Sequence, residues 1–411
     1  MANSTNSMIL GTCLQLCPEK ERKLRVKNKL IHPIERKLGM DAGKEYILIK
    51  SFSRSAAGNT SCCDPKQIRP PYICRRTTNY IVENVLFQYA NGQRLLNLDW
   101  TTYHFVFDRL RALRQDMVIQ KCDILEPTFN CDDIFIHVHI LQVCVKFHLL
   151  ANYIFTQTAN NLNDSEKGTN SSTNSQFDQH INFSHLLECL KMILNYYEML
   201  FTRSSDNESS IKINQILTNE SRKVIDDTLI DMVVIYVLIN IGSYHSYKWA
   251  LELDDDIKRN EKVARALKMH RIYSERNYAA LFKEMKKLSL LHLLAFHWSL
   301  PFIVKEMLFV MNSAYSSKNC RFPISYFHEM MLLDAQNEEK LIDYLKDLGI
   351  KITAASSGDK QNPDILTKHK NNTFVCFDKN SYNASMNTKW QDLPCINKQL
   401  GHYDLIAMIL D

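Results

Sequence analysis

Apolar positions recur at helical spacing through most of this chain. Residues 134–155 are apolar almost all round, which is typical of a central, buried helix. Residues 100–121 carry a single apolar stripe, formed by Val106, Leu110, Leu113 and Met117. We therefore predict long helices over both segments and a core built mainly from helices.

The same pattern continues on both sides of these segments. Further helices are predicted over residues 14–30, 77–89, 183–201, 224–249, 258–267, 277–288 and 291–315. Helices that follow in series without a sheet signal indicate an α-solenoid. Because no tight sequence repeat is present, we expect the repeat to be structural only.

Polar stretches interrupt the helices at several places. Residues 156–179 are rich in Asn, Ser, Thr and Gln and offer almost nothing to bury, so we predict an inserted loop without fixed structure. Residues 51–63 and 202–210 are predicted as polar loops, and residues 1–10 as disordered.

The last ninety residues lack the long helical pattern of the preceding chain and show shorter predicted elements. A short helix is predicted within residues 322–333, and Asn337 can cap a second helix that ends at Gly349. Residues 350–353 and 373–377 are strand candidates. Two short helices followed by two strands describe a winged helix, and we expect residues 405–410 to pack back onto the body.

The composition is that of an ordinary globular chain. Of 411 residues, 45% are hydrophobic and 23% are charged. The first seven residues are polar, and the longest apolar run, residues 232–241, is too short to span a bilayer, so we predict no membrane insertion. Twelve cysteines without a secretory signal indicate reduced thiols in the cytosol or nucleus.

Positive charge is concentrated near the N-terminus. Residues 1–121 carry 20 Lys and Arg against 10 Asp and Glu, whereas residues 122–320 and 321–411 carry net charges of −3 and −2. Such asymmetry favours contact with a polyanion or an acidic partner, although solvated helix faces would give the same counts. We divide the chain at these limits into a basic region, a helical repeat and a C-terminal winged-helix domain, after a disordered segment at residues 1–10.

The segment from Gly11 to Arg22 combines two cysteines with a helix start. Cys13 and Cys17 suggest zinc, but Cys62 and Cys63 do not repeat their spacing, so buried thiols are the better interpretation. Pro18 suits a first helical position, because its missing N–H would be unpaired there.

Four segments in order resemble the motifs of the GANP family, which comprises the germinal-centre-associated nuclear protein and a related yeast export scaffold. They are residues 11–22, 50–57, 65–70 and 105–116, with Lys146-Phe-His148 as a weaker match. The residues that carry the resemblance are Gly11, Cys13, Cys17, Pro18, Glu21, Arg22, Arg54, Arg69, Asp108, Arg109, Arg111, Arg114 and Asp116. Its length makes the chain similar to the short, SAC-three-domain-containing type.

The resemblance implies a non-enzymatic scaffold with helical repeats that end in a winged helix, the PCI arrangement. Long members act in messenger RNA export at nuclear pores, and short members in centrosome duplication and spindle assembly. The implied partners are a second PCI-type subunit with its small acidic companion, and RNA. The implied location is the nucleus or cytoplasm, with the nuclear pore or the centrosome and spindle as the specific sites. We expect the slightly acidic wing to pair with protein through Phe327, Leu341 and Leu345.

We expect any RNA or acidic partner to bind the basic first third. The candidate cations are Lys23, Arg25, Lys27, Lys29, Arg75, Arg76, Arg111 and Arg114. Local alternatives remain open: Asp108 can pair with Arg111 three residues later, and the position of Arg109 beside the apolar stripe favours an internal ion pair.

The histidines do not form a pattern that indicates chemistry. His137 and His139 are two residues apart, so they do not share a helix face, and we interpret them and His148 as satisfied or partly exposed side chains. No hydrolase context or phosphate-binding glycine loop is present. We therefore predict no enzymatic activity, no cofactor and no metal site.

Overall fold

The computed structural model describes the chain in segments separated by short gaps. They are residues 9–54, 64–90, 93–120, 131–165, 177–201, 219–317, 320–331, 338–354, 373–383, 393–400 and 404–410. Helices dominate them, so the prediction of a mainly α protein is confirmed. The chain forms two compact units, one of residues 1–155, 169–229 and 404–411, the other of residues 156–168 and 230–403. The domain limits drawn from charge and composition stay predictions.

The first unit is built from long helices with an extended N-terminal lead. Its helices are α1 (Glu19–Lys27), α2 (Pro33–Asp41), α3 (Pro71–Ile81), α4 (Trp100–Ile119), α5 (Cys131–Ser165) and α6 (Gln179–Phe201), and α7 (Asn219–Ile239) begins here. Helices α5 and α7 continue into residues of the second unit. The predicted stripe of α4 is fully buried, as its spacing requires: Val106, Leu110, Leu113 and Met117.

Local chemistry explains where these helices begin. At α2, His32 caps the helix, Pro33 occupies its first position, and Glu35 completes a capping box. At α4, the Asp99 side chain accepts a hydrogen bond from the Thr102 amide at 2.6 Å. Pro18 caps α1, one position before the predicted one.

The structure corrects the prediction for residues 77–89. Helix α3 begins six residues earlier, at Pro71, where proline suits a first turn. A π-helical turn at residues 82–86 follows, and the chain then enters a hairpin of β1 (Phe87–Ala90) and β2 (Gln93–Leu96). An apolar run this short does not distinguish helix from strand by period alone.

The predicted loop at residues 156–179 is wrong over its first ten residues. Residues 156–165 continue α5, because each residue added to an existing helix gains a hydrogen bond without a new nucleation cost. Residues 166–176 lie outside the described residues. So do residues 1–8 of the predicted disordered end, residues 55–63 and 202–210 of the polar loops, and Asn337.

The second unit continues with shorter helices in series. They are α8 (Tyr244–Leu251), α9 (Asp255–Arg259), α10 (Glu261–Ser274), α11 (Tyr278–Met285) and α12 (Leu290–Ala314), an arrangement consistent with a helical-repeat body. The helix predicted over residues 224–249 is interrupted after Ile239. Gly242 has a φ of +87°, and a Cβ there would lie 2.5 Å from the Tyr273 ring, so the break requires glycine.

Short helices and strands close the second unit. They are β3 (Phe322–Pro323), α13 (Ile324–Met331), α14 (Glu338–Asp347), β4 (Lys351–Ala354) and β5 (Thr373–Cys376), followed by α15 (Pro394–Leu400). The strands form an antiparallel sheet in the order β3–β5–β4, with Ile352 opposite Val375. The predicted short helices and strands are present, and the winged helix stays a prediction.

Helix α16 (Leu405–Leu410) returns to the first unit. It contacts the π-helical turn at residues 82–86, and Ile409 is fully buried. The prediction that residues 405–410 pack back onto the body is confirmed.

Among the residues that the structure describes, two helices are long and apolar enough to cross a membrane by length and composition alone. They span Asp132–Gln157 and Leu290–Ala314, and 83% and 67% of their most apolar windows are buried inside the protein. Burial of this extent is what core helices of folded proteins show.

Candidate functional site in the basic region

The two cysteines of the N-terminal segment are buried thiols. Cys13 is 8% exposed and Cys17 is 2% exposed. Burial raises the pKa of both thiols above the ordinary value, most strongly at Cys17. Both therefore stay protonated at neutral pH and behave as small apolar side chains.

Asp116, near the end of α4, is the centre of one buried ion cluster. Its carboxylate accepts a hydrogen bond from Arg69 Nε at 2.7 Å and forms a second ion pair with Lys50 Nζ. Asp116 and Arg69 are fully buried. A buried carboxylate needs such partners, because an unpaired charge in the interior costs several kcal/mol.

The backbone around Arg69 extends this cluster to the N-terminal segment. Gln120 Nε2 donates to the Arg69 carbonyl at 2.9 Å, and Gln120 Oε1 accepts from the Gly11 amide at 2.8 Å. A Cβ at position 11 would lie 2.5 Å from the Ile68 carbonyl oxygen, so only glycine allows this close approach.

Glu35, on α2, is the centre of a second buried cluster. Its carboxylate pairs with the guanidinium groups of Arg25 and Arg109, the latter at 3.3 Å. The amides of Ile49 and His32 donate to the same carboxylate at 3.0 and 3.1 Å. Glu35 is fully buried, and its bonds join α1, α2, α4 and the extended segment after α2.

Two further acidic residues connect the motif segments at the edge of these clusters. Glu21 accepts hydrogen bonds from the amide and hydroxyl of Ser51 at 2.9 and 2.8 Å. Asp108 accepts from the Phe52 amide at 3.1 Å and pairs with Arg109. The internal ion pair predicted for Arg109 is therefore confirmed, whereas the alternative that Asp108 pairs with Arg111 is wrong.

Arg111 and Arg114 have different surroundings. The Arg111 guanidinium lies over the Phe52 ring at 3.9 Å and over the Phe107 ring at 5.6 Å. Arg114 is buried and pairs with Glu188 on α6 at 2.7 Å. Hydrogen bonds from His185 and Arg114 lower the pKa of Glu188 to about 2, so this pair is charged at neutral pH.

The clusters join four separate motifs of one family. A model described as the SAC3/GANP family matches residues 16–354. The chain belongs to the SAC3/GANP family. This is a scaffold family linked to messenger RNA export. Most of the SAC3/GANP motif residues seen in the sequence are thus explained by bonds that hold the first unit together.

Three curated relatives show how far the similarity extends. SAC3 family protein 1 of Schizosaccharomyces pombe is 32% identical over 142 residues, 33% of this chain and 13% of its own length. Protein xmas of Drosophila melanogaster is 22% identical over 84% of this chain and 15% of its own length. SAC3 family protein B of Arabidopsis thaliana is 23% identical over 82% of this chain and 18% of its own length. The chain spans less than a fifth of each of these relatives.

The structure divides the cations predicted to contact a polyanion or acidic partner. The prediction is wrong for Arg25 and Arg114, because both side chains are buried and paired with carboxylates inside the first unit. Arg111 is half-buried against two rings. The others are exposed, namely Lys23, Lys27, Lys29, Arg75 and Arg76, and Arg54 of the family motif is exposed as well.

The residues predicted to pair with a partner through the wing need correction too. Phe327, Leu341 and Leu345 are 0–1% exposed, so their side chains form the interior of the second unit and present no surface. Tyr326, beside them on α13, is 41% exposed.

His137 and His148 are buried and His139 is partly exposed, and the ring of each lies within hydrogen-bond distance of a polar atom. His148 Nδ1 donates to Asn182 Oδ1 at 2.7 Å, and His137 Nδ1 lies 2.8 Å from the Tyr196 hydroxyl. His139 Nε2 lies 3.3 Å from Asn79 Oδ1. Burial lowers the pKa of His148 to about 3 and that of His139 to about 4, so both are neutral at physiological pH.

Sequence reasoning missed the acid at the centre of the second cluster. Glu35 was not singled out, although His32-Pro33 followed by Glu35 has the spacing of a capping box. That signal would have placed Glu35 at a helix start, but not against Arg25 and Arg109. Tyr72 was missed for another reason, because no helix was predicted over its position. In the structure Tyr72 lies on α3, one turn before Arg75 and Arg76, and its side chain is 57% exposed.

Proposed function

We propose that this chain is a non-enzymatic scaffold of messenger RNA export that presents surfaces to other proteins and to RNA. The observation that carries the proposal is the SAC3/GANP match over residues 16–354, together with a largely helical body of the kind that such scaffolds use. The buried clusters support it: the charges of Asp116 and Glu35 are engaged in ion pairs inside the first unit, where they stabilise the fold.

The RNA contact in this proposal is the exposed face of α3. Tyr72, Arg75 and Arg76 are spaced three and four residues apart, so they share one face of the helix, and all three are exposed. An exposed tyrosine ring can stack on a base, while the guanidinium groups contact phosphates. This combination suits single-stranded RNA and gives binding that weakens steeply with salt.

Protein pairing in this proposal uses the end of the second unit. We assign it to a second PCI-type subunit with its small acidic companion, docking on the outer surface near Tyr326 rather than on the buried Phe327, Leu341 and Leu345. Aromatic side chains that are exposed in the free protein are typical anchors of such interfaces.

Location and bound partners test the proposal together. The tagged full chain is imaged through the cell cycle, and its complexes are then recovered for mass spectrometry. A steady signal at the nuclear rim with recovery of a second PCI-type subunit supports the export scaffold. A spindle-pole signal without nuclear enrichment contradicts the proposal and supports the alternative function, an adaptor for centrosome duplication and spindle assembly that does not bind nucleic acid.

A further inference from the structure

The outward face of α1 combines lysines with an exposed leucine. Lys20, Lys23, Leu24 and Lys27 share that face, opposite buried Pro18 and Arg25. Leu24 is 57% exposed. Lys23 pairs with Glu19 at 3.6 Å, but within the described residues Lys20 and Lys27 form no ion pair. The face is therefore both cationic and apolar.

The end of α1 adds a second leucine and a third unpaired lysine. The Leu30 amide donates to the Arg25 carbonyl at 2.8 Å, and the Lys29 amide donates to the Val26 carbonyl at 3.1 Å. These two bonds define a Schellman motif, which turns the chain back toward the last turns of the helix, where Leu24 lies. Leu30 is 61% exposed. Two exposed leucines thus lie near the C-terminal end of α1, one within the helix and one just after it.

Lys29 holds an unusual backbone conformation. Its φ is +57°, in the left-handed region where this motif ordinarily uses glycine. A side chain with a Cβ is destabilising in that conformation, because the Cβ approaches the following carbonyl oxygen too closely. The sequence therefore places a lysine beside the two leucines at a cost in stability, and such outliers are found preferentially where a surface has a function.

We propose that Lys20, Leu24, Lys27, Lys29 and Leu30 form a docking surface for an acidic segment of a partner protein that carries apolar anchor residues. The lysines attract its carboxylates, and the two leucines receive its anchors. This partner contact is separate from both the RNA face on α3 and the pairing surface near Tyr326, and it does not depend on them.

The leucines decide between a protein segment and RNA. Phosphates would need the lysines alone, and Leu24 and Leu30 offer no ring on which a base could stack. Leu24 and Leu30 each remain more than half exposed, and covering them with another apolar surface is favourable. Acidic residues interspersed with leucine or phenylalanine satisfy both requirements.

Binding of defined probes to the full chain tests this proposal. The first probe is a short fluorescent peptide that alternates acidic residues with two leucines one helical turn apart. The second replaces those leucines by serine, and the third is an oligouridine. We expect the leucine peptide to bind at least about tenfold more tightly than the serine peptide, a difference of about 1.4 kcal/mol.

Substitutions on α1 locate the surface. Leu24→Ser with Leu30→Ser, and separately Lys27→Glu, are expected to weaken peptide binding by about tenfold or more, while oligouridine binding changes by less than about twofold. Lys29→Gly keeps the left-handed turn and removes the lysine side chain with its charge, so it should weaken peptide binding without unfolding the chain. Lys44→Glu, at an exposed position outside α1, is the matched control and should leave peptide binding unchanged.

Three results would overturn the proposal. One is equal affinity for the leucine and serine peptides, and another is peptide binding that ignores the leucine substitutions while circular dichroism shows an intact fold. The third is loss of oligouridine binding in Lys27→Glu and Lys29→Gly with no effect on the peptide, which would assign the face to RNA.

Discussion

Asp116 accepts a hydrogen bond from Arg69 Nε at 2.7 Å, and neither side chain is exposed to solvent. The two residues belong to different motif segments, 47 positions apart in the chain. This pair shows what most of the family motif does in the structure: its charges fasten distant segments of the first unit to one another. The exposed cations that remain are the ones available for partners.

Substitutions at this cluster should reveal its structural role. Asp116→Asn leaves both Arg69 and Lys50 without a carboxylate, so we expect it to lower the free energy of unfolding by about 3–5 kcal/mol. Equilibrium urea unfolding measures this change. Glu19→Gln, at an exposed ion pair of α1, is the control and should unfold like the wild type.

A double substitution separates the ion pair from the packing around it. Arg69→Met combined with Asp116→Leu should cost less than the sum of the two single changes, because neither charge is then left unpaired. If the losses in the free energy of unfolding from the two single changes add up to the loss in the double variant, the two side chains do not stabilise each other, which would contradict the ion pair.

Glu35 should contribute about as much to the stability of the fold as Asp116. Glu35→Gln removes the buried carboxylate that Arg25 and Arg109 share, and it leaves these guanidinium groups only their ion pairs at the edge of the cluster, with Glu21 and Asp108 respectively. We expect a loss of about 3 kcal/mol or more in the free energy of unfolding. A variant that unfolds at the wild-type urea concentration would contradict the assignment of Glu35 to a buried cluster.

The stability of the first unit should fall in mild acid because of His148. The folded pKa of His148 is about 3, below its ordinary value of 6.5, since burial disfavours the charged ring. The unfolded chain therefore binds a proton that the folded chain does not. The stabilisation is present above pH 6.5 and is lost as the pH falls toward 3.

Unfolding measured at several pH values tests this assignment. At pH 5, the protonation of His148 in the unfolded chain should by itself lower the free energy of unfolding by about 2 kcal/mol relative to pH 7.5. His148→Gln is expected to reduce the slope of stability against pH by up to one proton. Groups around the ring, namely His185, Arg114 and Glu188, stay in place in this variant, so an unchanged slope would mean that another group causes the acid sensitivity.

RNA binding should depend on the exposed face of α3. Tyr72→Ala removes a stacking ring, and we expect it to weaken oligouridine binding by about 1–3 kcal/mol. Arg75→Glu should weaken binding as well and reduce its dependence on salt. Filter binding across a salt series gives both quantities, and Lys66→Glu, an exposed residue outside α3, serves as the control. RNA binding that is absent or insensitive to salt would contradict an RNA role for this face.

The turn after α1 should be more stable with glycine. Lys29→Gly relieves a left-handed backbone conformation, so we expect thermal unfolding to show a gain of about 0.5–1 kcal/mol. Lys27→Gly, within α1, should have the opposite sign because it places glycine in a helix. A loss of stability at Lys29 would show that its side chain makes contacts that offset the strain.

Much of the helical fold could be predicted from the sequence, because the spacing of apolar residues is a local property of the chain. The stripe at Val106, Leu110, Leu113 and Met117 is visible in twelve consecutive residues and predicts both α4 and its buried face. The hairpin of β1 and β2 also had a local signal, the Asn91-Gly92 pair, which is typical of such turns. The helix predicted over residues 77–89 does not take this signal into account.

The buried clusters had no comparable signal. Arginines are mostly exposed in proteins, so nothing local distinguishes buried Arg25 from exposed Lys23. The bonds that decide the matter join residues far apart, as between Gly11 and Gln120, which are 109 positions apart. Only the folded structure brings such partners together. For the same reason, the predicted polyanion surface is wrong at the buried Arg25 and Arg114, and it stays a prediction at the exposed positions.

The distribution of polyadenylated RNA in cells depleted of this protein tests the central proposal most directly. In situ hybridisation after depletion should show polyadenylated RNA accumulating in the nucleus. The wild-type chain should reverse this, and Arg75→Glu combined with Arg76→Glu should reverse it only in part. A normal distribution of polyadenylated RNA in depleted cells, with defects confined to the spindle, would contradict a role in messenger RNA export.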